Sequence, residues 1–281
     1  MSALVAYAIK TPPQHGTWPE ILDLWRAADD VDVFESAWTM DHFYPLVPPL
    51  DGPELESWTM LAALAQATRR LRLGCMVNGM HLRHPAVTAN MAATLDHIAG
   101  GRFQLGLGAG WFQPEADAYG IPLGTLTERF DRFDEGVEVI VSLLTRTTTT
   151  FAGRYYRLTD ARCEPKPVQD RIPIVIGGRG PRRTLRTVAR WADHWDMTRP
   201  EDPGEWKRLD AVLREHCAAI GRDPGEIRRS VHLWWAPDDD AAALADTAAG
   251  LAAAGVDLVV FSMRAPYDAR RLEPLAAALT A

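Results

Sequence analysis

A chain of 281 residues, 47% of them hydrophobic, can bury one sizeable core and slightly exceeds the roughly 250 residues of a one-domain β/α barrel. Its formal net charge of -7 argues against general attraction to nucleic acid or to an anionic membrane surface. With no run of about 18 apolar residues and no charged segment ahead of an apolar core in MSALVAYAIK, the expectation is one cytoplasmic domain over 1–281.

Along the chain, short β-rich apolar runs alternate with longer stretches of helical period, the pattern of parallel strands joined by crossover helices. Strands are expected at 4–9, 33–38, 71–77, 102–107, 172–177, 194–198, 229–235 and 257–263. The clearest helices lie at 85–98, 126–144, 181–191, 203–220 and 238–254, several opening on Pro or an acidic residue, as a helix N-terminus favours. Eight alternating units predict a (β/α)8 TIM barrel, in the α/β class. Between the fourth and fifth strands, residues 146–170 read as a polar and aromatic hairpin followed by a Pro-bounded connector, an insertion on the barrel. Cys75, Cys163 and Cys217 are scattered without CxxC spacing and read as reduced packing residues.

In such a barrel chemistry gathers just after the strands. The second strand leads into TMDHFYPL, which puts Asp41 and His42 at the rim, where the imidazole can move a proton and a carboxylate can fix its tautomer. After the third strand, Asn78 and Gly79 interrupt a buried run, either to admit a planar ligand or simply to turn the chain. His81 and His84 are spaced i, i+3 but have no acidic ligand beside them, and Pro85 opens a helix at once, so no metal site is expected. The fourth strand ends in GLGAGWFQPE; Gly106, Gly108 and Gly110 fail the dinucleotide spacing and read as room for a ring system, with Trp111 and Glu115 leaning into the mouth. The fifth ends in VIGGRGPRR, where Gly177, Gly178 and Gly180, the helix-opening Pro181, and Arg179, Arg182 and Arg183 suit a phosphate. There is no GxxxxGK[ST], GxSxG or HExxH.

With these sites assembled, the chain resembles the bacterial-luciferase-like superfamily, in its branch that uses coenzyme F420. The resemblance spans nearly all of 3–265 and rests on SAWTMDHFYPL, ESWTMLAALAQATRRLRLGCMVNG, RHPAVTANMAATLDHIAGGRFQLGLGAGWFQPEADAYGIP, GRYYRL, CEPKPVQ and IPIVIGGRGPRRTLRTVARWADHWD. It implies a deazaflavin in the barrel mouth exchanging hydride at its C5 carbon. His42 would then stand at the reacting centre. Asp41, Met76, Val77, Asn78, Ala109 and Gly110 would contact the ring, with a non-prolyl cis peptide at Met76–Val77. Gly177, Gly178, Arg179, Gly180 and Pro181 would hold the phosphate, with the nearby arginines facing an acidic tail.

Compared with the sugar-phosphate dehydrogenases of that branch, Trp111 replaces an acidic residue and Leu46 a tryptophan. With Trp38 these are the expected substrate contacts, and they imply an organic substrate other than a small phosphorylated sugar, reduced at C=C or C=N. The alternatives are a monooxygenase using reduced FMN and a non-catalytic cofactor carrier. A homodimer is consistent with the family.

Overall fold

The structure is a computed structural model that describes residues 5–198, 200 and 203–281. Eight parallel strands form the wall: β1 (Ala6–Lys10), β2 (Phe34–Thr39), β3 (Arg72–Cys75), β4 (Phe103–Gly108), β5 (Ile174–Gly177), β6 (His194–Met197), β7 (Arg228–Trp235) and β8 (Leu258–Met263). They pair in the order β3-β2-β1-β8-β7-β6-β5-β4, and Leu73 opposite Phe103 returns β4 to β3 and closes the barrel.

Alternation along the strands makes two cores. Leu73, Phe103, Leu105, Ile176, Val259 and Phe261 face outward into the shell of helices. Ala8, Trp38, Val175, Leu258 and Val260 face the axis and meet Met76 there. The axis also holds polar groups. Asp196 lies 3.0 Å from His232 Nε2 and accepts the Ser230 hydroxyl at 2.6 Å, partners that outweigh burial and hold its carboxyl down at about 2.

The helices around the wall are α1 (Trp18–Asp29), α2 (Ser57–Ala67), α3 (Pro85–Ile98), α4 (Gln113–Ala118), α5 (Leu126–Thr145), α6 (Thr184–Trp191), α7 (Pro203–Ala219), α8 (Ala241–Ala253) and α9 (Leu272–Thr280). Local chemistry sets their starts: Thr17 with Glu20, and Thr125 with Glu128, form capping boxes that satisfy two otherwise orphaned amides apiece. The insertion is the expected hairpin, Thr149–Ala152 against Arg157–Ala161. Its turn is pinned to α5 because Glu135 accepts the amides of Arg154, Tyr155 and Tyr156. Cys75, Cys163 and Cys217 are free and buried.

Most strand and helix limits agree with the sequence reading to one or two residues; position 4, the expected start of the first strand, lies outside the described residues. Two differences are physical. The third strand leaves the ladder after Cys75, where the Met76–Val77 peptide is cis, and only Asn78–Gly79 pair again with β4. The helix expected at 181–191 begins at Thr184, because the Leu185 amide donates back to Gly180, too wide a turn to be α-helical.

Candidate active site

Because all eight strands run the same way, the segments after β2, β3, β4 and β5 emerge at one end of the barrel, and the expected histidine and phosphate loop share that mouth. His42 is largely buried there, with Nδ1 3.2 Å from Glu115 Oε2; Glu115 Oε1 accepts the Phe43 amide at 2.5 Å. The Glu115 side chain is 0% exposed. Burial pushes its carboxyl up, but the bonds from His42 and Phe43 outweigh it and the net direction is down, so an ionised carboxylate fixes the imidazole. His42 Nε2 has no protein partner among the described residues and is the atom left for a ligand.

The carboxylate that holds His42 is therefore Glu115 and not its neighbour Asp41. Asp41 is buried, and both its oxygens accept from Arg83, at 2.6 and 3.0 Å; Arg83 also reaches Glu56 at 2.9 Å. Both Asp41 oxygens are thus engaged in this ion pair, which links the segments after β2 and β3.

The Met76–Val77 segment forms the floor of the mouth. Met76 turns into the barrel axis, its carbonyl accepting from buried Lys10 Nζ at 2.7 Å. Val77 fills the space that the glycines leave: a Cβ on Gly108 would lie 2.6 Å from Val77 Cγ2, and one on Gly177 2.9 Å from Cγ1. Gly106 is required by a closer approach, since its Cβ would stand 1.9 Å from the Cys75 carbonyl oxygen. At Gly106 and Gly108, two of the three glycines read as room for a ring system, the space beside the backbone is thus taken up by the protein's own Cys75 carbonyl and Val77. Asn78 donates to the Gly106 carbonyl at 2.6 Å while its Oδ1 is buried with no partner. Ala109 is half-buried against the outer core, and Gly110, at φ +84°, packs on His81 and offers its carbonyl to Arg129.

At the fifth strand end, Gly177 and Gly178 turn the chain toward α6, with Gly178 at φ +132°. The loop is tied down: Trp195 Nε1 donates to the Gly178 carbonyl at 2.8 Å, the Gly178 amide to Asp196 at 3.0 Å, and His216 Nε2 to the Pro181 carbonyl at 2.8 Å. Gly178 and Gly180 leave room for Thr184 at the head of α6. Arg179 pairs with Glu205 at 3.2 Å and Arg183 with Asp131 at 2.6 Å, while Arg182 is exposed. A helix start of this kind suits an anion. An uncharged planar ring with an anionic tail fits this geometry: an aliphatic floor, the orphaned Asn78 Oδ1, and a helix start beyond it.

Of the expected substrate contacts, Trp111 stands 61% exposed with its ring 6.0 Å from His42. Leu46 is half-buried at the rim, its amide held by Gln14 Oε1 at 2.8 Å. Trp38 does not belong with them: it is 0% exposed, donates to Ser36 inside the barrel at 3.0 Å and packs edge-on against His194, because its place in β2 points it to the axis. Two groups escaped the sequence reading as members of the mouth. His81 has both ring nitrogens buried without a partner, and burial, chiefly, lowers it to about 4. Glu54, bridged to Gln14, has both carboxylate oxygens buried and unpartnered. His81 follows the third strand, but its spacing raises only the question of a metal ligand, whereas Glu54 stands at no strand end and carries no signal in the sequence. Among the described residues no cluster of His, Cys, Asp and Glu could hold a metal ion, and no helix is long and apolar enough to cross a membrane.

Comparison with known proteins agrees with this architecture. An F420-dependent glucose-6-phosphate dehydrogenase from Kineococcus radiotolerans is 35% identical over 210 residues, 74% of this chain and 61% of that protein. A pyrimidine monooxygenase from Allorhizobium ampelinum is 36% identical over 179 residues, 61% of this chain and 47% of that protein, so the chain spans less than two thirds of the length of either relative. The solved F420-dependent secondary alcohol dehydrogenase, in complex with an F420-acetone adduct, superposes with a TM-score of 0.88 at 20% identity, covering 98% of this chain and 99% of that one, which shows the shared barrel fold. With the luciferase-like monooxygenase profile matching residues 2–279, the chain belongs to that family.

Proposed function

We propose that the protein is an oxidoreductase dependent on coenzyme F420, with His42 as its proton-handling residue. The observation that carries this reading is His42 itself, fixed at Nδ1 by buried Glu115 and left with Nε2 for a ligand, beside an aliphatic floor at Val77. The deazaflavin supplies hydride chemistry when bound. Met76, Val77, Asn78, Ala109 and Gly110 would back its ring, and the turn from Gly177 to Pro181 with the start of α6 would take its phosphate. His42 holds or delivers the proton that accompanies hydride to a C=C or C=N bond of an organic substrate. The dehydrogenase relative and the structural similarity to the alcohol dehydrogenase support this cofactor class.

The pyrimidine monooxygenase relative favours a second reading, in which the mouth takes FMN for oxygen chemistry. Titrating the purified protein separately with coenzyme F420 and with FMN decides between them, since the reading requires tighter binding of the deazaflavin. His42→Ala should then lower turnover by about 10²- to 10⁴-fold with cofactor binding largely kept. Full turnover in that variant removes His42 from the role.

A further inference from the structure

Two aromatic clusters stand on the segments that meet at His42, and together they make a collar. Trp111 and Phe112 stand edge-on to its imidazole, each at 6.0 Å, and lie 5.2 Å from one another. On the other side Phe43 and Tyr44 meet Tyr119 at 5.1 and 5.5 Å. Large apolar side chains are usually withdrawn from water, yet three of these rings are exposed: Trp111 by 61%, Tyr119 by 51% and Tyr44 by 38%. Two short segments supply the collar, residues 42–44 after β2 and residues 111–119 around α4. Glu115 clips them together from beneath, through His42 and the Phe43 amide.

The charges next to the collar are already engaged. Glu115 points inward and is fully buried. Arg83, 5.9 Å from the Phe43 ring, is consumed by Asp41 and Glu56. Asp117 on α4 accepts from Gln113. His81, Glu54 and Asn78 Oδ1 also lack partners but are buried; at the exposed collar itself a ligand meets the faces and edges of rings around one imidazole nitrogen, a surface that selects planar, uncharged, aromatic molecules over saturated or anionic ones.

We propose that the collar of Tyr44, Trp111, Phe112 and Tyr119 is the substrate-recognition element, and that the substrate class is a neutral aromatic compound carrying an unsaturated, reducible group conjugated to its ring. This rests on the oxidoreductase reading for the reducible group, but the collar's preference for aromatic ligands stands apart from it. The ring inserts among Trp111, Tyr119 and Tyr44, and its polar atom meets His42 Nε2.

The test uses acetophenone as the aromatic probe, with cyclohexyl methyl ketone as its saturated counterpart and glucose 6-phosphate as an anionic one. Binding is followed by ligand-observed NMR on the full chain, with and without oxidised coenzyme F420. Acetophenone should bind about tenfold more tightly than the saturated ketone, the worth of one good aromatic contact. Glucose 6-phosphate should show no comparable binding. Trp111→Ala should weaken acetophenone by about tenfold, and Trp111→Phe, which keeps a ring, should restore most of it. Because Trp111 is exposed, both variants leave the core untouched. Equal binding of the two ketones under both conditions, or undiminished acetophenone binding in Trp111→Ala, overturns the collar. Aromatic preference without hydride transfer from the reduced deazaflavin to any bound aryl enone or aryl imine supports the collar and counts against the oxidoreductase reading instead.

Discussion

Glu54 gives the sharpest physical prediction. Burial, and then the negative charge of Glu115, raise its carboxyl from 4.5 to about 9, and neither oxygen has a hydrogen-bond partner to draw it back. Between those two values the folded protein holds a proton that the unfolded chain releases. The stability tied to this proton is fully present below pH 4.5 and declines as pH rises toward 9, by about 1.4 kcal/mol per pH unit. At pH 7 the accumulated cost is on the order of 3 kcal/mol. Glutamine is nearly isosteric and cannot ionise, so Glu54→Gln should be more stable at neutral pH by that order, about 6 °C in Tm for a chain of this size. The assay is urea unfolding of both proteins from about pH 4 to pH 8, the range over which the linkage develops. The parent curve should fall away from the variant's as pH rises, and the two should converge at the acid end. Parallel curves would show that Glu54 is ionised in the folded state and refute the argument.

Other substitutions probe the supports of the site. Glu115→Ala removes the acceptor for both His42 Nδ1 and the Phe43 amide in a fully buried place, so urea midpoints should report a loss of about 2–4 kcal/mol, part of it recovered by Glu115→Gln. Arg83→Met leaves the Asp41 carboxylate buried without its partner and should cost about 3–5 kcal/mol, more than a surface ion pair is worth. The double variant with Asp41→Asn should regain much of that loss, as a double-mutant cycle would show. Gly110→Ala forces a side chain into a positive-φ position 2.2 Å from the His81 ring, so thermal melting should show at least about 1–3 kcal/mol of destabilisation. His81→Ala in the same background should relieve the clash but not the backbone strain.

The barrel was legible because its strands alternate with helices along the whole chain and each strand carries the period its two faces need. The rim position of His42 and the turn after β5 followed from the same logic, since both stand just past a strand. What could not be read was which groups would meet across the mouth. Asp41 is adjacent to His42 in sequence, yet Glu115, 73 positions away, makes the contact, because α4 swings back over the β2 loop. Trp38 lies within β2 and faces the barrel axis, where it is fully buried, and sequence position alone does not show how far below the mouth that places it. The glycines around the ends of β4 and β5 read as room for a ring and for a phosphate, but sequence cannot say what packs beside them, and the neighbours are mainly Val77, His81 and Thr184.

The single carboxylate joining residues 42–44 to residues 111–119 has a consequence for altering specificity. Barrel enzymes are often treated as scaffolds whose loops can be exchanged one at a time. Here the loops after β2 and β4 are mechanically one part, because Glu115 is fastened to its own helix and to the backbone of the opposite segment. Transplanting either loop alone would carry half a joint and leave its counterpart unfastened, whereas moving both together with Glu115 would keep the histidine aligned while the surrounding rings are changed.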